Sequence, residues 1–168
     1  HWSEWNQYLS TQDKVYCETC EEVQMAPSDL ADYAEYLAEI GEVYQSREIL
    51  AKAVELAKDR GLDDNTEICE LGGILGFGEI VLPSCDQAVK LCRRSFVCAK
   101  IQGRRAIALA LAGDFEKATE DLQAYLDNLN SNPKSYKEEI IATQFWMSKL
   151  IAGQNPFDEG VRKNLDMK

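Results

Sequence analysis

Ala53-Val54-Glu55-Leu56 returns as Ala88-Val89-Lys90-Leu91, 35 residues further along the chain. A four-residue echo decides little alone, but other features keep the same step. Gly41, Gly76 and Gly113 are separated by 35 and then 37 residues. Ala34, Cys69 and Ala106 follow the same spacing, as do Leu37, Gly72 and Leu109. Self-similarity at a period of this size marks a chain built from repeated supersecondary units. Within the first unit, apolar residues recur every three or four positions: Leu30, Tyr33, Ala34, Leu37 and Ile40, then Val43, Ile49, Leu50, Ala53, Val54, Leu56 and Ala57. That spacing gives each of two helices one apolar stripe. The glycines fall between them, where a helix ends in left-handed geometry. A helix pair this short cannot bury its stripe alone, so the units are expected to stack.

The third unit is the most regular, with Ala106, Leu109, the turn Gly113-Asp114-Phe115, then Ala118, Leu122 and Leu126. On these residues the chain resembles the tetratricopeptide repeat family, over about residues 28–130. The resemblance implies an all-α, right-handed α-solenoid of about three helix pairs, with units near 28–60, 63–95 and 99–130 and a C-terminal capping helix over 136–152. The second unit departs most from the pattern. The family's aromatic early in the first helix is absent, Gly72-Gly73 stand where larger residues are usual, and Pro83 falls within the second helix. Proline is tolerated only near a helix start, which puts that start close to Glu79.

A narrower resemblance runs through Val81-Leu82-Pro83-Ser84-Cys85-Asp86-Gln87-Ala88-Val89, Arg104 to Asp121, and the ending Leu150-Ile151-Ala152-Gly153-Gln154-Asn155-Pro156-Phe157. It is to the terminal module of large bacterial proteins, many cyanobacterial, that also carry β-propeller, caspase-like peptidase or ATPase domains. That resemblance implies a scaffold or sensor arm. Its partner would be a protein or peptide, another domain of the same parent chain included.

Composition narrows the function classes. With 168 residues and 45% apolar content the chain can bury one core. Its 18 basic and 29 acidic residues leave a net charge of −11, which argues against wholesale binding to nucleic acid or anionic membrane. No apolar run reaches the roughly 18 residues of a membrane span, and no signal-peptide pattern opens the chain. Because the sequence starts His1-Trp2, a portion of a longer or processed protein is expected. Six cysteines leave the compartment undecided between cytoplasmic and extracytoplasmic.

The ends read as covers. Residues 1–27 form a lead segment, expected to be helical, whose Trp2 and Trp5 pack against the first repeat. Ser28 is the expected N-cap of the helix that follows, with Asp29 and Asp32 favouring its positive end. Tyr136, Ile140, Ile141, Phe145, Met147, Leu150 and Ile151 give the capping helix an amphipathic pattern. Asn155-Pro156-Phe157 reads as a helix stop rather than a docking motif, and 155–168 as a tail.

Catalytic chemistry finds few candidates. A nucleophilic triad needs a base, and the only histidine is His1. The run Gly72-Gly73-Ile74-Leu75-Gly76-Phe77-Gly78 lacks the Lys-Ser or Lys-Thr of a phosphate loop. Cys17-Glu18-Thr19-Cys20 offers the alternative, a zinc or redox site, with Cys92 and Cys98 as the remaining ligands if the lead segment folds back. Cys69 and Cys85 sit at helix-packing positions. The expectation is a binding module without enzymatic activity, metal or cofactor.

The family's groove-facing places map onto Asp32, Glu35 and Glu39 in the first unit, Asp63, Glu67 and Glu70 in the second, and Lys100 and Arg104 in the third. The groove would be acidic over two units and basic over the third. Arg93 and Arg94 belong to a run, residues 90–105, holding six basic residues and no acid. They are candidates either for an acidic ligand or for neutralising a helix C-terminus.

Overall fold

The computed structural model describes residues 25–164, all of whose regular structure is helical. Expectations for the lead segment, including Trp2, Trp5, Cys17 and Cys20, fall outside these residues. Eight helices follow in order: α1 (Pro27–Glu39), α2 (Val43–Ala57), α3 (Leu62–Leu75), α4 (Gly78–Leu91), α5 (Ser95–Leu111), α6 (Phe115–Leu129), α7 (Lys137–Ile151) and the short α8 (Glu159–Lys163). From α1 to α7 each helix packs on the next, α1 also lies against α3, α3 against α5 and α2 against α4, and α8 returns to α3.

The turn inside each pair is the same object. Gly41, Gly76 and Gly113 take φ of 88°, 84° and 85°. Each donates its N–H to the carbonyl three residues back, and the residue after it reaches five back, as in Gly41 to Ala38 (3.1 Å) and Glu42 to Leu37 (2.8 Å). This is the Schellman arrangement, which satisfies carbonyls that a helix end leaves unpaired and needs a residue free of the Cβ penalty at positive φ. A fourth copy closes α7 at Gly153, φ 72°, with Gln154 N–H to Lys149 O at 2.9 Å.

Equivalent positions are buried alike. Ala34, Cys69 and Ala106 are each 0% exposed, and so are their partners on the second helices, Leu50, Cys85 and Leu122. In the second unit the equivalent small and large positions are both cysteine and form a disulfide, Cys69 to Cys85, with Cα atoms 4.9 Å apart. The odd Gly72 has a similar explanation. A β-carbon there would run into Val81. The other two units use Leu37 and Leu109 opposite the small Ser46 and Ala118, whereas this unit uses glycine opposite valine. Ser46 further donates its hydroxyl to Ala34 O at 2.6 Å, so its burial leaves no polar group unpaired.

Junctions between pairs are held individually. Asn65 Nδ2 donates to Ala57 O (3.0 Å) and Gly61 O (2.9 Å), tying the end of α2 to α3. A second disulfide, Cys92 to Cys98, spans the corner between α4 and α5. Arg105 on α5 donates through Nε and Nη2 to the two oxygens of Asp121 on α6 (2.7 and 2.9 Å) and through Nη1 to Asp86 on α4 (2.9 Å). Tyr125 on α6 donates to Glu139 Oε2 on α7 at 3.1 Å.

One local reading is corrected. The N-cap of α1 is Ala26, not Ser28; Pro27 takes the first helical position, where its fixed φ suits the helix and its missing N–H costs nothing. Asp29 then accepts from Ala26 N–H at 3.2 Å. Helix α4 starts at Gly78, beside the expected Glu79, so Pro83 lies in its second turn and the helix continues through it.

Helix α7 occupies the place of a fourth first helix, but it buries only Thr143 and Leu150 fully. Ile141, Phe145 and Ile151 stay more than half exposed, with no long helix after α7 among the described residues. Instead the Asn-Pro-Phe segment turns back. Asn155 Nδ2 donates to Ala110 O (3.2 Å), Phe157 is buried against Trp146, and Arg162 reaches Ile74 O (3.1 Å) beneath the Gly76 turn.

Candidate functional site

Odd-numbered helices form one contiguous layer, α1 to α3 to α5, and the charged residues assigned to the groove from the sequence lie along it. Their spacing decides this: residues 32, 35 and 39 on α1, 63, 67 and 70 on α3, and 100 and 104 on α5 each recur at helical period.

Electrostatics show which of them meet. The carboxyl of Glu67 is held above its usual range, first by partial burial and then by the negative charges of Asp32, Asp64, Glu70 and Asp29. Glu35 is likewise raised by burial, then by Glu39 and Asp32. Asp32 is raised by burial and by Asp29. Acidic residues of two helices thus share one field across the α1–α3 seam. Asp63 lies one turn before Glu67 on the same stripe, exposed. Sequence reading had not placed Asp64 in this group, although its three-residue spacing from Glu67 is the same signal.

At the third unit the positive charge is already engaged. Arg104 Nη2 pairs with Glu70 at 2.8 Å, closing the acidic stripe across the α3–α5 seam, with the arginine side chain 19% exposed. Lys100 lies one turn earlier, its Nζ 4.8 Å from the centre of the Phe96 ring. The Tyr125 hydroxyl is raised by burial and then by Glu139, with Arg104 pulling the other way, so this tyrosine stays protonated beside the stripe.

Arg93 and Arg94 are not on that layer. They are exposed in the α4–α5 connection, where Arg93 Nη1 donates to Lys90 O at 3.3 Å and Arg94 is the N-cap residue of α5. The Arg93 contact is the kind that neutralises a helix C-terminus. Arg105, from the same basic run, is bound up in the Asp121 and Asp86 pairs.

The cysteines are rearranged relative to the zinc alternative. Cys92 and Cys98 are bonded to each other, so neither offers a thiolate to a metal held at Cys17 and Cys20. Among the described residues, no three His, Cys, Asp or Glu side chains are grouped as metal ligands. No helix of the described residues is long and apolar enough to cross a membrane. No protein-family model, curated protein or solved structure matches the chain.

Proposed function

We propose that the chain is a tetratricopeptide-type, right-handed α-solenoid of about three helix pairs with a C-terminal capping helix, and that it holds a protein or peptide partner without catalysing a reaction. The observation that carries this reading is the continuous α1–α3–α5 layer, along which Asp32 and Asp29 of α1 come close enough to raise the pKa of Glu67 on α3. Like charges kept together at a cost to stability are what a surface shaped for a complementary partner would retain. The repeated Schellman turns and the matched small and large positions support the family reading. The partner surface would be basic where it meets the first two units. Its source would be a separate protein or another domain of a larger bacterial parent chain, for which this unit would serve as scaffold or sensor arm.

Fluorescence anisotropy with two labelled peptides of equal length, one lysine-rich and one glutamate-rich, tests the reading. Preferential binding of the basic peptide, lost in Asp32→Lys/Glu67→Lys and retained in Arg93→Glu/Arg94→Glu, is expected. Equal binding of both peptides, or binding indifferent to the Asp32 and Glu67 reversals, would remove the acidic face from the mechanism.

A further inference from the structure

The two disulfides differ in where they sit and in what surrounds them. Cys69 and Cys85 are each 0% exposed, at the centre of the second helix pair. Cys92 and Cys98 lie at the corner between α4 and α5, six residues apart in sequence, Cys92 8% exposed and Cys98 half-buried. Cys92 is the C-cap residue of α4, its N–H donating to Ala88 O at 3.0 Å, and Cys98 makes the first backbone bond of α5, to Arg94 O at 2.8 Å. Each helix therefore closes its own backbone hydrogen bonds up to the bridge, and the bridge holds only the short link between them. Opening it would leave both helices intact.

The corner is also electropositive. The link carries the exposed Arg93 and Arg94, Lys90 lies in the last turn of α4, and the first turn of α5 contains no acid. A cationic, partly exposed setting stabilises thiolates and speeds thiol–disulfide exchange.

From these contrasts we infer that Cys92–Cys98 is a thiol–disulfide exchange site, open to a dithiol reductant, whereas Cys69–Cys85 is a permanent structural cross-link. In the exchange, a reductant thiolate attacks Sγ of Cys98, the more exposed of the two residues. A new sulfur–sulfur bond forms there, the Cys92–Cys98 bond breaks, and Cys92 leaves as a thiolate beside the cationic corner. The reductant's second thiolate then attacks its own sulfur in the mixed disulfide and releases Cys98. Two electrons pass to the protein, which takes up two protons as its thiols form, and the dithiol becomes a disulfide. The inference is independent of which partner the helical layer binds.

The test uses the full chain purified without reductant. It is exposed to dithiothreitol for graded times at neutral pH, alkylated, and mapped cysteine by cysteine by mass spectrometry. Cys92 and Cys98 should become labelled together, about tenfold or more faster than Cys69 and Cys85, with the far-ultraviolet helical signal unchanged. Arg93→Glu/Arg94→Glu should slow that first phase by about threefold or more at unchanged helicity. A purely structural bridge would not show this effect. Simultaneous opening of the two pairs, earlier opening of Cys69–Cys85, free Cys92 and Cys98 in the untreated protein, or an exchange rate indifferent to the arginine reversals would each overturn the assignment.

Discussion

Cys69 and Cys85 are bonded at the positions that, at the 35- and 37-residue step, correspond to the fully buried Ala34 and Leu50 of the first helix pair and Ala106 and Leu122 of the third. The cross-link thus stands at positions that the other units bury without sulfur. Removing a native disulfide costs about 2–5 kcal/mol, much of it by freeing the unfolded chain. Cys69→Ala/Cys85→Leu restores the volume pattern of the neighbouring units, whereas Cys69→Ala/Cys85→Ala leaves a cavity as well. Denaturant unfolding should find the leucine variant more stable than the double alanine by about 2 kcal/mol. Equal stabilities would mean that position 85 does not act as Leu50 and Leu122 do.

Gly72 and Val81 form a second compensated pair, glycine against valine where the other units place leucine against serine or alanine. Gly72→Ala alone forces a β-carbon into the valine and should destabilise by about 1–3 kcal/mol. Val81→Ala alone opens space and should cost a similar amount. Combined, the two should cost less than their sum by about 1 kcal/mol, a coupling that a double-mutant cycle reads directly. Strict additivity would show that the two side chains do not share the space.

Arg105 and Asp121 make a two-pronged ion pair whose carboxylate side chain is 6% exposed. Removing the buried carboxylate leaves the guanidinium with only the exposed Asp86 as partner, which holds the cost to the low end of the roughly 3–5 kcal/mol of a broken buried pair. Asp121→Ala should therefore lower stability by about 3 kcal/mol, while Arg105→Met/Asp121→Leu, which removes both charges, should recover most of the loss. Thermal unfolding of the three proteins checks the ordering; a double variant no better than Asp121→Ala would contradict it.

The acidic layer sets the pH response. Asp32, Glu35 and Glu67 titrate higher in the folded chain than their ordinary values, so the folded state binds more protons than the unfolded one just above about pH 4. Their contribution to stability falls as pH rises through that window, and at neutral pH they repel one another. Asp114, lowered by the Lys117 side chain and its backbone N–H, works oppositely: its contribution is present at neutral pH and is lost as pH falls through the folded value. Tm should therefore rise as the pH falls from neutral toward the ordinary carboxylate range of about 4, where Asp114's opposing loss begins. Glu67→Gln should raise Tm at neutral pH and flatten that rise. A Tm that falls steadily over this range and ignores the substitution would count against the shared field.

Much of this architecture is legible in the sequence because its turns admit few residues. Gly41, Gly76 and Gly113 announce themselves at a fixed step since only glycine meets a Schellman turn's positive φ cheaply. The charged stripes are legible for a similar reason, as helical period alone puts residues 32, 35 and 39 on one face. What crosses between helices is not. The Glu70–Arg104 pair, the field of Asp64 on Glu67 and the two sulfur pairings depend on how far one helix slides against the next, which no local pattern encodes. Asn155-Pro156-Phe157 shows the limit well. Its proline reads as a stop, while the carbonyl of Ala110 that receives Asn155 lies 45 residues away.

The paired sulfurs also set how far the molecule can be stretched. A chain pulled from its two ends unreels helix by helix, but the links between Cys69 and Cys85 and between Cys92 and Cys98, 16 and 6 residues of separation, are bypassed by covalent shortcuts. At roughly 3.5 Å per residue, about 70 Å of contour stays hidden from the applied force until the sulfurs separate. The middle of the chain is therefore a section that tension can unfold but cannot fully extend.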